Sequence, residues 1–185
     1  MDTNKVLSQI GNTPLIKLKQ PSELTGCNIY GKAEYFNPGE SVKDRAALFI
    51  VQDAIKKKLV SKGGTIVEGT AGNTGIGLAV VCKEYDLNLK IVIPNTQSIE
   101  KKQTLKKLGA ELIEVDAVPY SDPKNYIKQS KKIADDLNKT SKFGVYWANQ
   151  FDNTINTDAH IKTTAEEIWN QTAGSIDGFA CAVGT

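Results

Sequence analysis

Lys43 sits in a run, Asn37-Pro38-Gly39-Glu40-Ser41-Val42-Lys43-Asp44-Arg45, whose residue types and order can produce a reactive amine. Asn37-Pro38-Gly39 reads as a turn, because proline sets one backbone dihedral and glycine permits a positive φ beside it. Ser41 and Asp44, three apart, form the S-x-x-D pattern in which two side chains satisfy orphan N–H groups at a helix start. From Val42 to Leu59, apolar residues at 42, 46, 47, 50, 51, 54 and 55 trace one helical face. Lys43 then falls in the first turn, where the helix macrodipole disfavours a cation. A lysine with an enlarged neutral fraction can attack a carbonyl and form an imine. The plain alternative is a solvated lysine beside an ordinary cap, and position alone favours that.

Two further stretches carry chemistry-bearing residues. Gly69-Thr70-Ala71-Gly72-Asn73-Thr74-Gly75 lies between a strand pattern, Thr65-Ile66-Val67-Glu68, and a helix running to about Tyr85. The backbone N–H groups of such a loop can converge on a carboxylate or a phosphate at a helix start. Taken alone, the loop is equally well explained by tight packing. It is neither G-x-G-x-x-G nor G-x-x-x-x-G-K-[ST], so neither a dinucleotide nor a P-loop nucleotide is implied. Gln150-Phe151-Asp152-Asn153 follows the strand pattern Val145–Ala148, although turn residues are the commoner reading of such a loop. His160 is the only histidine. It lies in a predicted helix without an acidic or hydroxyl partner at catalytic spacing, and it reads as structural or exposed. A Ser-His-Asp or metal mechanism therefore has no constellation here.

The elements that must position these residues alternate. A short helix within Met1–Asn12 precedes strands Leu15–Leu18 and Ile29–Glu34, joined by a turn-rich link through Gly26. After the Lys43 helix come strand 65–68, helix to 85, strand 90–93, and a helix from about Glu100 to Leu108 closed by Gly109. Strand Glu111–Val115 follows. Asp122-Pro123 then reads as cap and first turn of a helix to about Asn138. Strand 145–148, a helix from about Thr157 to Thr172, and a buried strand Phe179–Val183 complete the order. Strands and helices in this alternation imply βαβ units and parallel sheet, with ligands at the carboxyl ends of the strands.

Composition narrows the class of protein. The chain has 185 residues, 40% hydrophobic and 24% charged, with a formal net charge of +2, as in a water-soluble globular protein. That charge makes no case for nucleic acid or a membrane surface. Cys27, Cys82 and Cys181 are odd in number and far apart, so no disulfide framework or zinc site is expected. A cytoplasmic, reducing setting is the default, with Cys82 and Cys181 as small core residues. No stretch has a membrane-span or signal-peptide pattern.

Taken together, Ile10-Gly11-Asn12-Thr13-Pro14-Leu15, the 37–45 run, Glu68 through Ala79, and Asn149-Gln150-Phe151-Asp152-Asn153 resemble the cysteine synthase/cystathionine β-synthase family. Four motifs in register reverse the odds on Lys43. The resemblance implies a two-domain α/β enzyme of fold type II, the pyridoxal-phosphate enzymes like the tryptophan synthase β-subunit. It places residues 36–149 in a smaller mobile domain, and 1–35 with 150–185 in parts of a larger one. The implied reaction is a β-replacement making L-cysteine from O-acetyl-L-serine and sulfide. Lys43 would hold pyridoxal 5'-phosphate as an imine and serve as the base at Cα. Asn73 would also bond the cofactor, while Thr70, Ala71, Gly72, Asn73, Thr74 and Gln150 would take the substrate carboxylate. Gly184 and Thr185 look like the start of the phosphate-binding loop. Full-length members are homodimers as a rule.

This sequence departs from the family pattern in two ways. Ala71 stands where many members have serine, and with Pro94-Asn95-Thr96-Gln97 it resembles an alanine-bearing branch. The phosphate loop stops at Thr185, which implies a partial sequence, truncated in the large domain and inactive by itself. Homocysteine as acceptor, as in cystathionine β-synthase, is the nearest alternative, and a non-catalytic truncated paralogue acting as a binding partner is another.

Overall fold

In the computed structural model, which describes residues 6–182, the chain opens with a 3-10 turn at Leu7–Gln9. Strands Leu15–Lys17 (β1) and Tyr30–Lys32 (β2) then pair antiparallel. Between them lies helix Lys19–Thr25 (α1), where the composition suggests only a turn-rich link. Pro21 is compatible with it because first-turn N–H groups have no intrahelical partner to lose. Gly26 ends the helix at φ +71°.

Lys43–Lys56 (α2) packs closely on Asn73–Glu84 (α3). Thr65–Gly69 (β3), Asn88–Pro94 (β4), Glu111–Val115 (β5) and Val145–Trp147 (β6) form one parallel sheet in the order β5-β4-β3-β6. The intervening helices are Ile99–Lys107 (α4) and Tyr126–Asn138 (α5). Strand order steps outward from β3 to β5 and then returns past β3 to β6. Right-handed crossovers therefore put α3 and α4 on one face and α5 on the other. Ile66, Leu78, Ile91, Ile93 and Leu105 are almost wholly buried between sheet and helices. Each contributes about 1.5–3 kcal/mol relative to exposure.

Two expected elements differ. The last long helix before β6 starts at Tyr126, not at Asp122-Pro123. Asp122 Oδ1 instead accepts the N–H of Lys124, and Asn125 caps the helix by accepting from Ile127. Residues 179–182 are exposed and form no strand, because no described strand lies beside them to complete a ladder. Cys181 is accordingly exposed rather than in the core, while Cys82 is buried. Val183, Gly184 and Thr185 lie outside the described residues. The final helix is continuous through Ile155–Ala159 (α6), a π segment His160–Ala165, and Glu166–Gln171 (α7).

Candidate active site

The start of α2 is built differently from a capping box. Ser41 Oγ accepts the N–H of Lys43 at 3.2 Å. Asp44, however, reaches back beyond Ser41 and accepts the N–H of Gly39. Asp44 is wholly buried, its Oδ1 has no hydrogen-bond partner, and burial lifts its carboxyl to about 6. Glycine is required on both sides of this carboxyl. A Cβ on Gly39 would lie 2.4 Å from Asp44 Oδ1, and one on Gly77 would lie 3.1 Å from Asp44 Cα. Helix α3 therefore meets the first turn of α2 almost backbone to backbone, which sets Lys43 beside the start of α3. Lys43 is half-buried, and burial lowers the pKa of its ammonium group.

The loop between β3 and α3 is partly committed to the fold. The N–H of Thr70 donates to Val92 O of β4, and that of Gly72 to Thr70 Oγ1. The N–H groups of Ala71, Asn73 and Thr74 make no hydrogen bond among the described residues. They are the donors left for an anion at the start of α3, so convergence is narrower than the glycine content suggests. Thr70 and Thr74 are buried, Ala71 and Gly72 half-buried, and Asn73 exposed.

Strand order reverses between neighbours β3 and β6: from β3 the chain steps to β4 and β5, and β6 then adds on the other side of β3, a topological switch point. The loops leaving both strands meet there. Thr74 Oγ1 donates to Gln150 Oε1, and Gln150 Nε2 donates to Glu68 Oε1 at 3.2 Å. Glu68, at 1% exposure, was not assigned a role by motif; burial pushes its carboxyl up to about 7. Its signal was a glutamate inside an otherwise apolar parallel strand. Asn153 is the turn residue its type suggests, accepting the N–H of Ile155 and donating to Ala148 O.

A second cluster braces the site from the same first turn of α2. Buried Arg45 donates through Nε to Glu34 Oε2 and through a terminal nitrogen to Glu167 Oε2, each at 2.8 Å. Lys32 joins Glu167, and Thr13 joins both Arg45 and Glu34. Burial opposes the charge on Glu167, but Arg45 and Lys32 outweigh it and hold the carboxyl at about 2. His160 is half-buried, and its Nδ1 lies 2.9 Å from Thr164 Oγ1, an i+4 hydroxyl partner not foreseen. Burial, then the charges of Arg45 and Lys43, keep it below its usual pKa. Among the described residues no group of His, Cys, Asp and Glu is arranged to hold a metal ion.

A half-buried lysine at the head of α2, with three unbonded backbone N–H groups at the start of the neighbouring helix α3, has the donor types that a carbonyl cofactor and a small acid need. The chain belongs to the family of pyridoxal-phosphate dependent enzymes, whose family model matches residues 6–185. It is 55% identical to cysteine synthase 1 of Neurospora crassa over 95% of its own length and 46% of that protein. To cysteine synthase 1 of Emericella nidulans it is 53% identical over 98% of this chain and 48% of that one. Among solved structures, an O-ureido-L-serine synthase superposes with a TM-score of 0.81 at 38% identity. The match covers 94% of this chain and 52% of that one. A hydrogen sulfide-producing enzyme of Fusobacterium nucleatum matches with TM-score 0.78 at 40% identity, over 94% of this chain and 54% of that one. The chain thus spans about half the length of the curated relatives it matches. The α/β architecture and fold type II expected from sequence are those of these neighbours.

Proposed function

We propose that the protein carrying this chain is a pyridoxal-phosphate dependent cysteine synthase, replacing the acetoxy group of O-acetyl-L-serine with sulfide. The observation that carries this reading is Lys43, half-buried at the head of α2 and held against α3 by the Asp44–Gly77 contact. Burial favours its neutral amine, which is the donor chemistry an aldehyde cofactor needs, so the residues present fit the group. Bound there, pyridoxal phosphate supplies the aldehyde and the electron sink.

The chain's own residues do the rest. Lys43 would hold the cofactor and, as a neutral amine, would take the proton from the substrate Cα. The free N–H groups of Ala71, Asn73 and Thr74, with the side chains of Thr70, Thr74 and Gln150, hold the substrate carboxylate. Gly72 lets the backbone approach it, since the space around its missing Cβ is open. Asn73, exposed at the first turn of α3, would also bond the cofactor ring, and Gly184 and Thr185 would contribute to its phosphate site. Residues 36–149 move as the smaller domain, closing over the acid and excluding water; residues 1–35 and 150–185 belong to the larger one. The enzyme works as a homodimer in the cytoplasm, where Cys27, Cys82 and Cys181 remain free thiols. No described helix is long and apolar enough to cross a membrane.

Borohydride reduction of the full-length protein with pyridoxal phosphate, followed by peptide mapping, tests this directly. Label on Lys43 supports the reading, and label scattered over surface lysines defeats it. Product analysis with O-acetyl-L-serine and sulfide then identifies cysteine.

A further inference from the structure

We propose that Glu68 is a positioning residue through which binding of a carboxylate at the 70–74 loop takes up one proton from solvent. The proposal rests on the reading of that loop as a carboxylate site and concerns what lies beneath it. Gln150 is the bridge: its carbonyl accepts from Thr74, its amide nitrogen donates to Glu68, and Thr74 stands in the first turn of α3. A carboxylate held by Thr74 and Gln150 would stand a single amide away from the buried carboxyl of Glu68. Two carboxylates at that separation, away from water, cannot both stay ionised without a large penalty.

Glu68 has the room and the chemistry to yield. Its Oε2 is buried with no hydrogen-bond partner, so a proton there disrupts no bond. Its Oε1 can go on accepting from Gln150 whichever form is present. From the β6 side, only the N–H groups of Asn149 and Gln150 and the Gln150 amide oppose protonation. From α5 the titratable neighbour is the Tyr126 phenol, raised by burial and then by the Glu68 charge. From β4 the register neighbour is Ile91. No described lysine or arginine contributes to holding Glu68 ionised. The free site is therefore already near the balance point at neutral pH, and a second anion tips it. Affinity for the acid then falls up to tenfold per pH unit above that balance point.

Calorimetric titration of sodium propionate into the full-length, pyridoxal-phosphate-loaded protein tests the linkage. Propionate carries a carboxylate but no amine, so lysine displacement cannot contribute protons. At about pH 8, in two buffers of different ionisation enthalpy, roughly one proton should be taken up per anion bound. Affinity should fall close to tenfold by about pH 9. In Glu68→Gln, propionate should bind without proton exchange and with a flat pH profile. Wild-type binding heats that are the same in both buffers overturn the proposal without any variant being needed. So does proton uptake that persists in Glu68→Gln. Absence of binding overturns it together with the carboxylate reading of the loop, whereas the Lys43 labelling above does not depend on Glu68.

Discussion

Asp44 and Glu68 are two buried carboxyls that flank the site, and their burial sets a pH dependence. Both titrate higher in the fold, near 6 and 7, than their ordinary values of 3.8 and 4.5. The folded state therefore holds more protons than the unfolded chain between about pH 4 and 7. Stability falls as pH rises through that window. Asp44→Asn retains an acceptor for the Gly39 N–H and removes the charge. Whatever its offset in stability, we expect the slope between about pH 4 and 6 to flatten, measured by urea midpoints at steps across that range. An unchanged slope would show that Asp44 binds no more protons in the fold than in the unfolded chain. Lys43 is the complementary case. The dipole argument from its helix position and the burial argument from its surroundings agree in sign, because each disfavours the ammonium form.

At a few glycines, close approach of backbone to backbone adds to side-chain packing in fixing where the elements lie. Gly69 at the end of β3 faces α5 so closely that a Cβ would stand 2.8 Å from Ile127 Cα and from Tyr126 O. These are backbone atoms and cannot rotate away. Gly69→Ala should destabilise the fold by about 1–3 kcal/mol, as overpacking does, read as a lower denaturant midpoint. Because the same residue leads into Thr70, the variant should also weaken propionate binding more than its stability loss explains. Gly26, by contrast, has no atom within 4 Å of its Cβ position and serves only the left-handed turn that ends α1.

Across the whole molecule, the Arg45 cluster ties together parts of the chain far apart in sequence. Thr13, Lys32, Glu34, Arg45 and Glu167 share one set of ion pairs and hydrogen bonds. Arg45→Met keeps the bulk but leaves two carboxylates facing an apolar group, a loss of about 3–5 kcal/mol. Glu167 also gives the wild type an acid limb. Its carboxyl titrates near 2 in the fold against 4.5 ordinarily, so its contribution is fully present above about 4.5 and is lost as pH falls towards 2. Arg45→Met should shrink that limb, and acid titrations followed by circular dichroism would measure it. If wild type and variant lose the same increment between these pH values, Arg45 is not what holds Glu167 ionised.

Local sequence determined the alternation of strands and helices from β3 to β6, a helix beginning within a residue of Lys43, and the glycine loop before α3, because these depend on periodicity and turn chemistry within a few residues. It also carried the family, since four motifs in order leave little room for coincidence. The tertiary structure alone decided the partners of buried charges. Asp44 bonds Gly39 rather than closing a cap, Glu68 on β3 meets Gln150 in the loop after β6 at a separation of 82, and Arg45 finds Glu167 at a separation of 122. It likewise moved the head of α5 to Asn125 and left residues 179–182 without a ladder, both matters of what lies alongside. Hydrogen bonds and desolvation act between groups that the fold, not the order of residues, brings together, and the chemistry of this site lies in those pairs.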